Sequence, residues 1–179
     1  MRALLVIDMQ RALFENSRRY DAQGVVRRIN RLIGTARDTG VPIIFVRHCG
    51  CDGDSLEPHT PGWQILPELD YRETDLTVEK NCCDSFVNTD LLEKLTKIHA
   101  EELIITGCCT DFCVDTTVRQ AASKGYTVLV ASDAHTTADK PYLEAKIIIE
   151  HHNYVWSEFY SPSPVKVLTT DEIVGLIQP

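Results

Sequence analysis

Leu103-Ile104-Ile105-Thr106-Gly107-Cys108-Cys109-Thr110-Asp111-Phe112-Cys113-Val114 passes from an apolar, β-branched run through a glycine into small polar residues that suit a helix start. A strand that turns directly into a helix is the repeating unit of a parallel sheet. The same stretch puts the Cys113 thiol at a helix N-terminus. There the backbone dipole and unpaired N–H groups favour a thiolate and offer donors to a developing oxyanion.

Working outward, short apolar runs recur at residues 3–7, 41–46, 76–78, 127–131 and 165–168, separated by longer helix-like stretches. That alternation predicts an α/β fold, a parallel sheet covered by helices on both faces. Val25, Val26, Ile29, Leu32, Ile33 and Ala36 recur at helical spacing, and Gly40 before Val41-Pro42 supplies a stop. Further helices are expected over residues 89–98, with Leu91, Leu92 and Leu95 inward, and over 112–123, closed by Gly125. Residues 48–74 carry Gly50, Gly53, Pro58, Pro61, Gly62 and Pro67 without a sustained period. They read as a long loop, a candidate lid with Trp63 closing over a small ligand or packing locally.

The chain has 179 residues, enough for a substantial core, and no linker-like segment divides it, so one domain is expected over residues 1–179. With 18 basic and 26 acidic residues the formal charge is −8, which argues against a surface that tracks nucleic-acid phosphates. The seven cysteines are Cys49, Cys51, Cys82, Cys83, Cys108, Cys109 and Cys113. Their odd number and two adjacent pairs fit reduced thiols rather than a disulfide framework. The first apolar run ends at Asp8, too short for a signal or membrane segment, so a soluble cytoplasmic protein is expected.

In a doubly wound sheet, ligands bind beyond the carboxyl ends of the strands, where strand order reverses. Asp8, Lys80 and Cys113 each fall at or just past such an end. Singly, an Asp after a strand is often a cap, such a Lys a solvated charge, and a free Cys an inert core residue. Jointly, Asp8 suits the role of proton carrier for the Cys113 thiol, while Lys80 offsets the negative charge of both. The thiolate attacks a carbonyl, expels ammonia or an amine, and leaves a thioester for water to hydrolyse.

The residues Ile7-Asp8-Met9-Gln10 with Phe14, Lys80-Asn81-Cys82-Cys83-Asp84-Ser85-Phe86, and Gly107-Cys108-Cys109-Thr110-Asp111-Phe112-Cys113-Val114 together resemble the isochorismatase-like cysteine hydrolases. Thr117, Ala121, Gly125 and Ser132-Asp133-Ala134 continue the likeness, which covers nearly the whole chain in order. The resemblance implies a three-layer α/β/α fold with about six strands ordered 3-2-1-4-5-6. It implies Asp8, Lys80 and Cys113 as a catalytic triad. It also implies a cis peptide between Cys108 and Cys109, an oxyanion hole from the Cys109 and Cys113 N–H groups, and a homo-oligomer, dimer or tetramer. If Lys80 ends strand 3, it starts two strand spacings, roughly 10 Å, from strand 1, a gap its side chain must cross.

A pocket for a small substrate is expected from an apolar wall of Phe14, Phe86, Phe112 and Trp63, with polar contacts from Gln10 or His135, the latter alternatively a loop cap. Nicotinamidases of this family hold a metal through an Asp-x-His after the second strand. Here that exit reads Val46-Arg47-His48, without the carboxylate, and no metal or other cofactor is expected. His48, Cys49, Cys51 and His59 remain a possible zinc-type set by ligand chemistry. Other readings are an isochorismatase-type reaction, which Cys113 disfavours, a metal-assisted nicotinamidase, a fold retained without chemistry, and a non-catalytic thiol redox or metal-binding protein in which Cys109 resolves an oxidised Cys113. Cys82, Cys83 and Cys108 read as buried small residues, and the apolar stretch around His151-His152 as a buried or subunit-facing helix. The partner is then a small molecule, with neither nucleic acid nor membrane.

Overall fold

Along β1 (Arg2–Ile7), Leu4 and Val6 turn to one side of the sheet while Ala3, Leu5 and Ile7 turn to the other, and all five are fully buried. A strand covered on both faces is the mark of a parallel sheet between two helical layers. The computed structural model describes residues 1–15 and 17–178; Asn16 and Pro179, both within the unit expected over 1–179, lie outside the described residues. The other strands are β2 (Ile43–His48), β3 (Leu76–Lys80), β4 (Glu102–Cys108), β5 (Thr127–Thr136) and β6 (Val165–Leu168). They pair in parallel in the order β3-β2-β1-β4-β5-β6, the order the family resemblance implies.

The helices are α1 (Arg11–Glu15), α2 (Ala22–Thr39), α3 (Leu91–Lys97), α4 (Asp115–Ser123), α5 (Ala145–Ser157) and α6 (Thr170–Ile177). Val25, Ile29, Leu32 and Ile33 of α2 and Ile173, Val174 and Ile177 of α6 cover one face with Leu4, Phe45 and Ile104. Leu91 and Leu95 of α3, Val118 and Ala121 of α4 and Trp156 of α5 cover the other with Leu5, Ile44 and Ile105. The helix expected from Phe112 instead begins as a π-helical turn over Thr110–Val114 that runs into α4. In α5, Ile148, Ile149 and Trp156 are buried while Ile147 and Tyr154 face outward. Among the described residues no helix is long and apolar enough to cross a membrane.

Two further places depart from the sequence reading. Leu92 is exposed although its neighbours Leu91 and Leu95 are buried, because three leucines in five residues span more than one helix face. β5 runs on to Thr136, past the expected end at residue 131, because its polar tail pairs beside β4 through a register shift between Ile105 and Gly107.

Candidate active site

The strand order reverses between β1 and β4, and their carboxyl ends are drawn tightly together. Ile7 pairs with Gly107, where φ is +123° and a Cβ would collide with the Ile7 backbone. Only glycine fits there, because the site needs both a left-handed backbone and the absence of a side chain. Immediately after this contact the chain bends at Asp8, whose φ of +48° is unusual for a residue with a side chain. The Asp8 N–H donates to the Val46 carbonyl at 2.9 Å, which fixes the bend against β2. On the β4 side the peptide between Cys108 and Cys109 is cis, and the π-helical turn that follows carries Cys113. Such turns recur at functional sites.

Lys80, the last residue of β3, pairs in register with His48 of β2 and extends across that strand. Its Nζ lies 2.7 Å from Asp8 Oδ2, 3.1 Å from Cys113 Sγ, 3.0 Å from the Cys82 carbonyl and 3.4 Å from His48 Nδ1. The long side chain thus crosses the gap of two strand spacings. Asp8 and Lys80 are both buried, and Asp8 Oδ1 has no hydrogen-bond partner. Asp8, His48 and Cys113 each present an atom within 4.8 Å of the others, so an Asp8 carboxylate oxygen lies near the thiol.

The electrostatics follow from burial and from this one cation. Burial pushes the Asp8 carboxyl above its ordinary range, against the pull of Lys80. Burial also opposes the Lys80 ammonium, but the Asp8 and Cys113 charges outweigh it and hold its pKa up. Burial and then the Asp8 charge push the Cys113 thiol well up, while Lys80 pulls it back. The lowered thiol pKa expected from a helix N-terminus is therefore overruled by burial and a neighbouring carboxylate. Burial and Lys80 push His48 down, leaving a neutral imidazole beside the ammonium. The Lys80 ammonium thus stands between the Asp8 carboxyl and a thiol that burial keeps un-ionised.

Asp8, His48 and Cys113 form the one potential metal-ligand set among the described residues. The Lys80 ammonium already stands within 3.4 Å of a donor atom of each, so a second cation there faces direct charge repulsion. The set His48, Cys49, Cys51 and His59 does not converge. Cys49 Sγ accepts from the Trp63 Nε1–H at 3.4 Å, Cys51 is exposed, and the His59 ring packs on Trp63. These residues do not fit a metal site.

The structure separates the residues expected to touch substrate. Gln10 donates to the His48 carbonyl at 3.0 Å and the Trp63 carbonyl at 2.9 Å and accepts from the His48 N–H at 2.8 Å, so its amide clasps protein rather than facing a ligand. His135 is buried between Thr110 Oγ1, 2.8 Å from Nδ1, and Asn153 Oδ1, 3.0 Å from Nε2, which fills both ring nitrogens. Phe86 stacks on Tyr126 in the core and Phe14 borders a groove with Ala22, Val26 and Leu66 along α2. Trp63 is buried under the Arg47 guanidinium, 3.8 Å from its ring centre, and the chain after it is bonded to Met9 and Arg11, so this part of the loop is tied down. Phe112 is half exposed, with Lys140 Nζ 4.9 Å from its ring centre and that ammonium paired to Asp111. Cys108 is buried as expected, whereas Cys82 and Cys83 are only partly so, because they lie in the irregular turn after β3. The sequence points to His48 only as a metal ligand. Its place at the end of the strand next to β1 was the signal for its contact with Lys80.

A family model described as Isochorismatase domain matches residues 2–155. An isochorismatase family protein of Bacillus subtilis (strain 168), YddQ, is 30% identical over 94% of this chain and 96% of its own length. Nicotinamidase 3 of Arabidopsis thaliana is 33% identical over 82% of this chain and 78% of that protein. A streptothricin hydrolase of Streptomyces noursei is 33% identical over 79% of this chain and 56% of that protein. Among solved structures, an isochorismatase family protein superposes with a TM-score of 0.86 at 34% identity, covering 94% of this chain and 98% of the other. A cysteine hydrolase from Pseudomonas syringae pv. phaseolicola 1448A gives 0.89 at 25% identity, covering 98% and 92%.

Proposed function

Since this chain belongs to the isochorismatase family of hydrolases, we propose that it cleaves the C–N bond of a small amide, ureido or carbamoyl compound through a thioester on Cys113. The observation that carries this reading is the single Lys80 ammonium in contact with both the Asp8 carboxylate and the Cys113 sulfur. A nucleophile, a base and a fixed positive charge are thereby held together, with the neutral His48 imidazole beside them.

In this reaction Asp8 Oδ1 takes the thiol proton as Cys113 Sγ attacks the carbonyl carbon. Because burial disfavours a standing thiolate, proton loss accompanies attack rather than preceding it. The tetrahedral oxyanion is held by the Cys109 and Cys113 N–H groups, and Asp8 returns the proton to the leaving nitrogen. Ammonia or an amine departs and the thioester remains. Water then loses a proton to Asp8, attacks the thioester carbonyl and releases the acid, and the proton goes back to sulfur. Lys80 stays charged throughout, opposite whichever of carboxylate or thiolate is negative.

The test is an ammonia-release screen across nicotinamide, carbamoyl and ureido acids and simple aliphatic amides, with intact-protein mass spectrometry for an acyl adduct. Turnover of at least one compound, an adduct mapped to Cys113, and no turnover by a folded Cys113→Ala variant are expected. Wild-type-like activity in that variant would falsify the thioester route.

A further inference from the structure

The proposed reaction leaves two thiols unused beside it. Cys108 ends β4 and is fully buried; Cys109 follows, partly buried, and the two Sγ atoms stand 3.0 Å apart. The remaining thiols with close partners face elsewhere: Cys113 toward Lys80, Cys82 toward the Asp84 carbonyl, and Cys49 toward the Trp63 indole. Sequence alone suggested Cys113 as the redox partner of Cys109. The structure instead gives Cys109 the thiol of Cys108.

We propose that Cys108 and Cys109 are a peroxide-sensitive dithiol that closes to a disulfide between adjacent residues, a reversible modification site next to the reacting thiol. The sulfurs need to approach by only about 1 Å to reach bonding distance. Of the pair, Cys109 is the nucleophile. The Cys108 thiol bonded to it, followed by Arg19 and Lys140, draws the Cys109 pKa below its ordinary value, whereas burial raises both Cys108 and Cys113. Peroxides react with thiolates, so Cys109 is oxidised ahead of Cys113.

In the first step the Cys109 thiolate attacks one oxygen of hydrogen peroxide, the O–O bond breaks, and hydroxide leaves a sulfenic acid on Cys109. In the second, Cys108 sulfur attacks the sulfenic sulfur, the S–O bond breaks, and the Cys108 proton leaves with the hydroxyl as water. The proton lost from Cys109 converts the first hydroxide to water. Two thiols thus give one disulfide while one peroxide becomes two waters. A second thiol in contact favours this closure over further oxidation of Cys109.

The experiment treats native protein with dilute hydrogen peroxide, denatures it in iodoacetamide, and maps the cysteines by mass spectrometry, with Cys113→Ser protein in parallel to fix the assignment. The expected product has lost two hydrogens across Cys108 and Cys109, leaves both unalkylated, regains both labels after dithiothreitol, and forms equally in Cys113→Ser. In Cys108→Ala, Cys109 is expected to proceed to sulfinic acid. The proposal is overturned if both thiols stay alkylatable while Cys113 oxidises, if Cys109 is sulfinylated in the wild type without a disulfide, or if a crosslink joins either residue to another cysteine. Because the readout is mass rather than turnover, it stands or falls separately from the proposed hydrolysis.

Discussion

Lys80 reaches Asp8 across an intervening strand: Nζ lies 2.7 Å from Asp8 Oδ2, although β2 separates β3 from β1. Both side chains are almost completely removed from water. Withdrawing two charges from water offsets most of their attraction, so such a pair adds little net stability, yet losing one partner strands the other. The pair is better understood as a device for holding charge beside Cys113.

Replacing one member therefore destabilises more than replacing both. Asp8→Asn and Lys80→Met are each expected to lower unfolding free energy by about 3 to 5 kcal/mol, and the double variant by clearly less than the sum. Turnover is expected to fall about 100- to 10,000-fold in each single variant. Urea denaturation of the four proteins measures the coupling; strictly additive losses would mean the two charges do not depend on each other.

The activity should carry an acidic limb set by Asp8. Only the carboxylate accepts the thiol proton, and the folded pKa lies above the ordinary 3.8 because of burial, so kcat/KM falls as pH drops through a value above 3.8. Lys80 is held above its ordinary 10.5, burial being outweighed by Asp8 and Cys113, so its charge persists across the neutral range. A raised carboxylate pKa also means that the folded state binds this proton more tightly than the unfolded one. This group's own contribution to stability thus grows as pH falls through its folded pKa. A pH–rate profile on an uncharged amide locates the limb; a midpoint at or below 3.8 contradicts the assignment.

What could be read in the sequence was whatever depends on local pattern. The apolar runs and the glycine at 107 announce the parallel sheet, and Asp8, Lys80 and Cys113 are legible because each lies at or just beyond a strand's carboxyl end. Thr169 and Glu172 form a capping box, an equally local signal for the start of α6. The partners of Gln10 and His135 are hidden from the sequence for a different reason. A polar residue at such an end is visible in sequence, but whether its hydrogen bonds are already filled depends on segments that arrive from far away, His48 and Trp63 for one, Thr110 and Asn153 for the other. The raised thiol pKa is hidden likewise, since burial is a tertiary property.

Gly107→Ala tests the closeness of β1 and β4. An added Cβ meets the Ile7 backbone, which cannot rotate away, and φ of +123° is itself strained for alanine. A loss of more than about 4 kcal/mol, or failure to fold, is expected. Soluble expression and thermal unfolding decide it; a stability within about 1 kcal/mol of wild type would show that the strands can part at this point.

His135 gives the fold its own acid sensitivity. Burial pushes its pKa down from 6.5 to about 4, against the opposing effect of the Asn153 hydrogen bond. Asn153 Nδ2 donates to the Ser132 carbonyl, which leaves Oδ1 to accept from His135 Nε2–H, while Nδ1 accepts from the Thr110 hydroxyl. Protonation of Nδ1 removes the lone pair that accepts from the Thr110 hydroxyl. Because the folded pKa is the lower one, the unfolded chain binds more protons between the two values. The stabilisation is complete above pH 6.5 and is lost as pH falls toward 4, by about 3 kcal/mol in all. Thr110 begins the turn that carries Cys113, so the same protonation loosens the nucleophile's support. Urea unfolding between pH 7.5 and 4 measures the slope, and His135→Gln is expected to flatten it while lowering stability at neutral pH. An undiminished slope in that variant would assign the acid sensitivity to other groups.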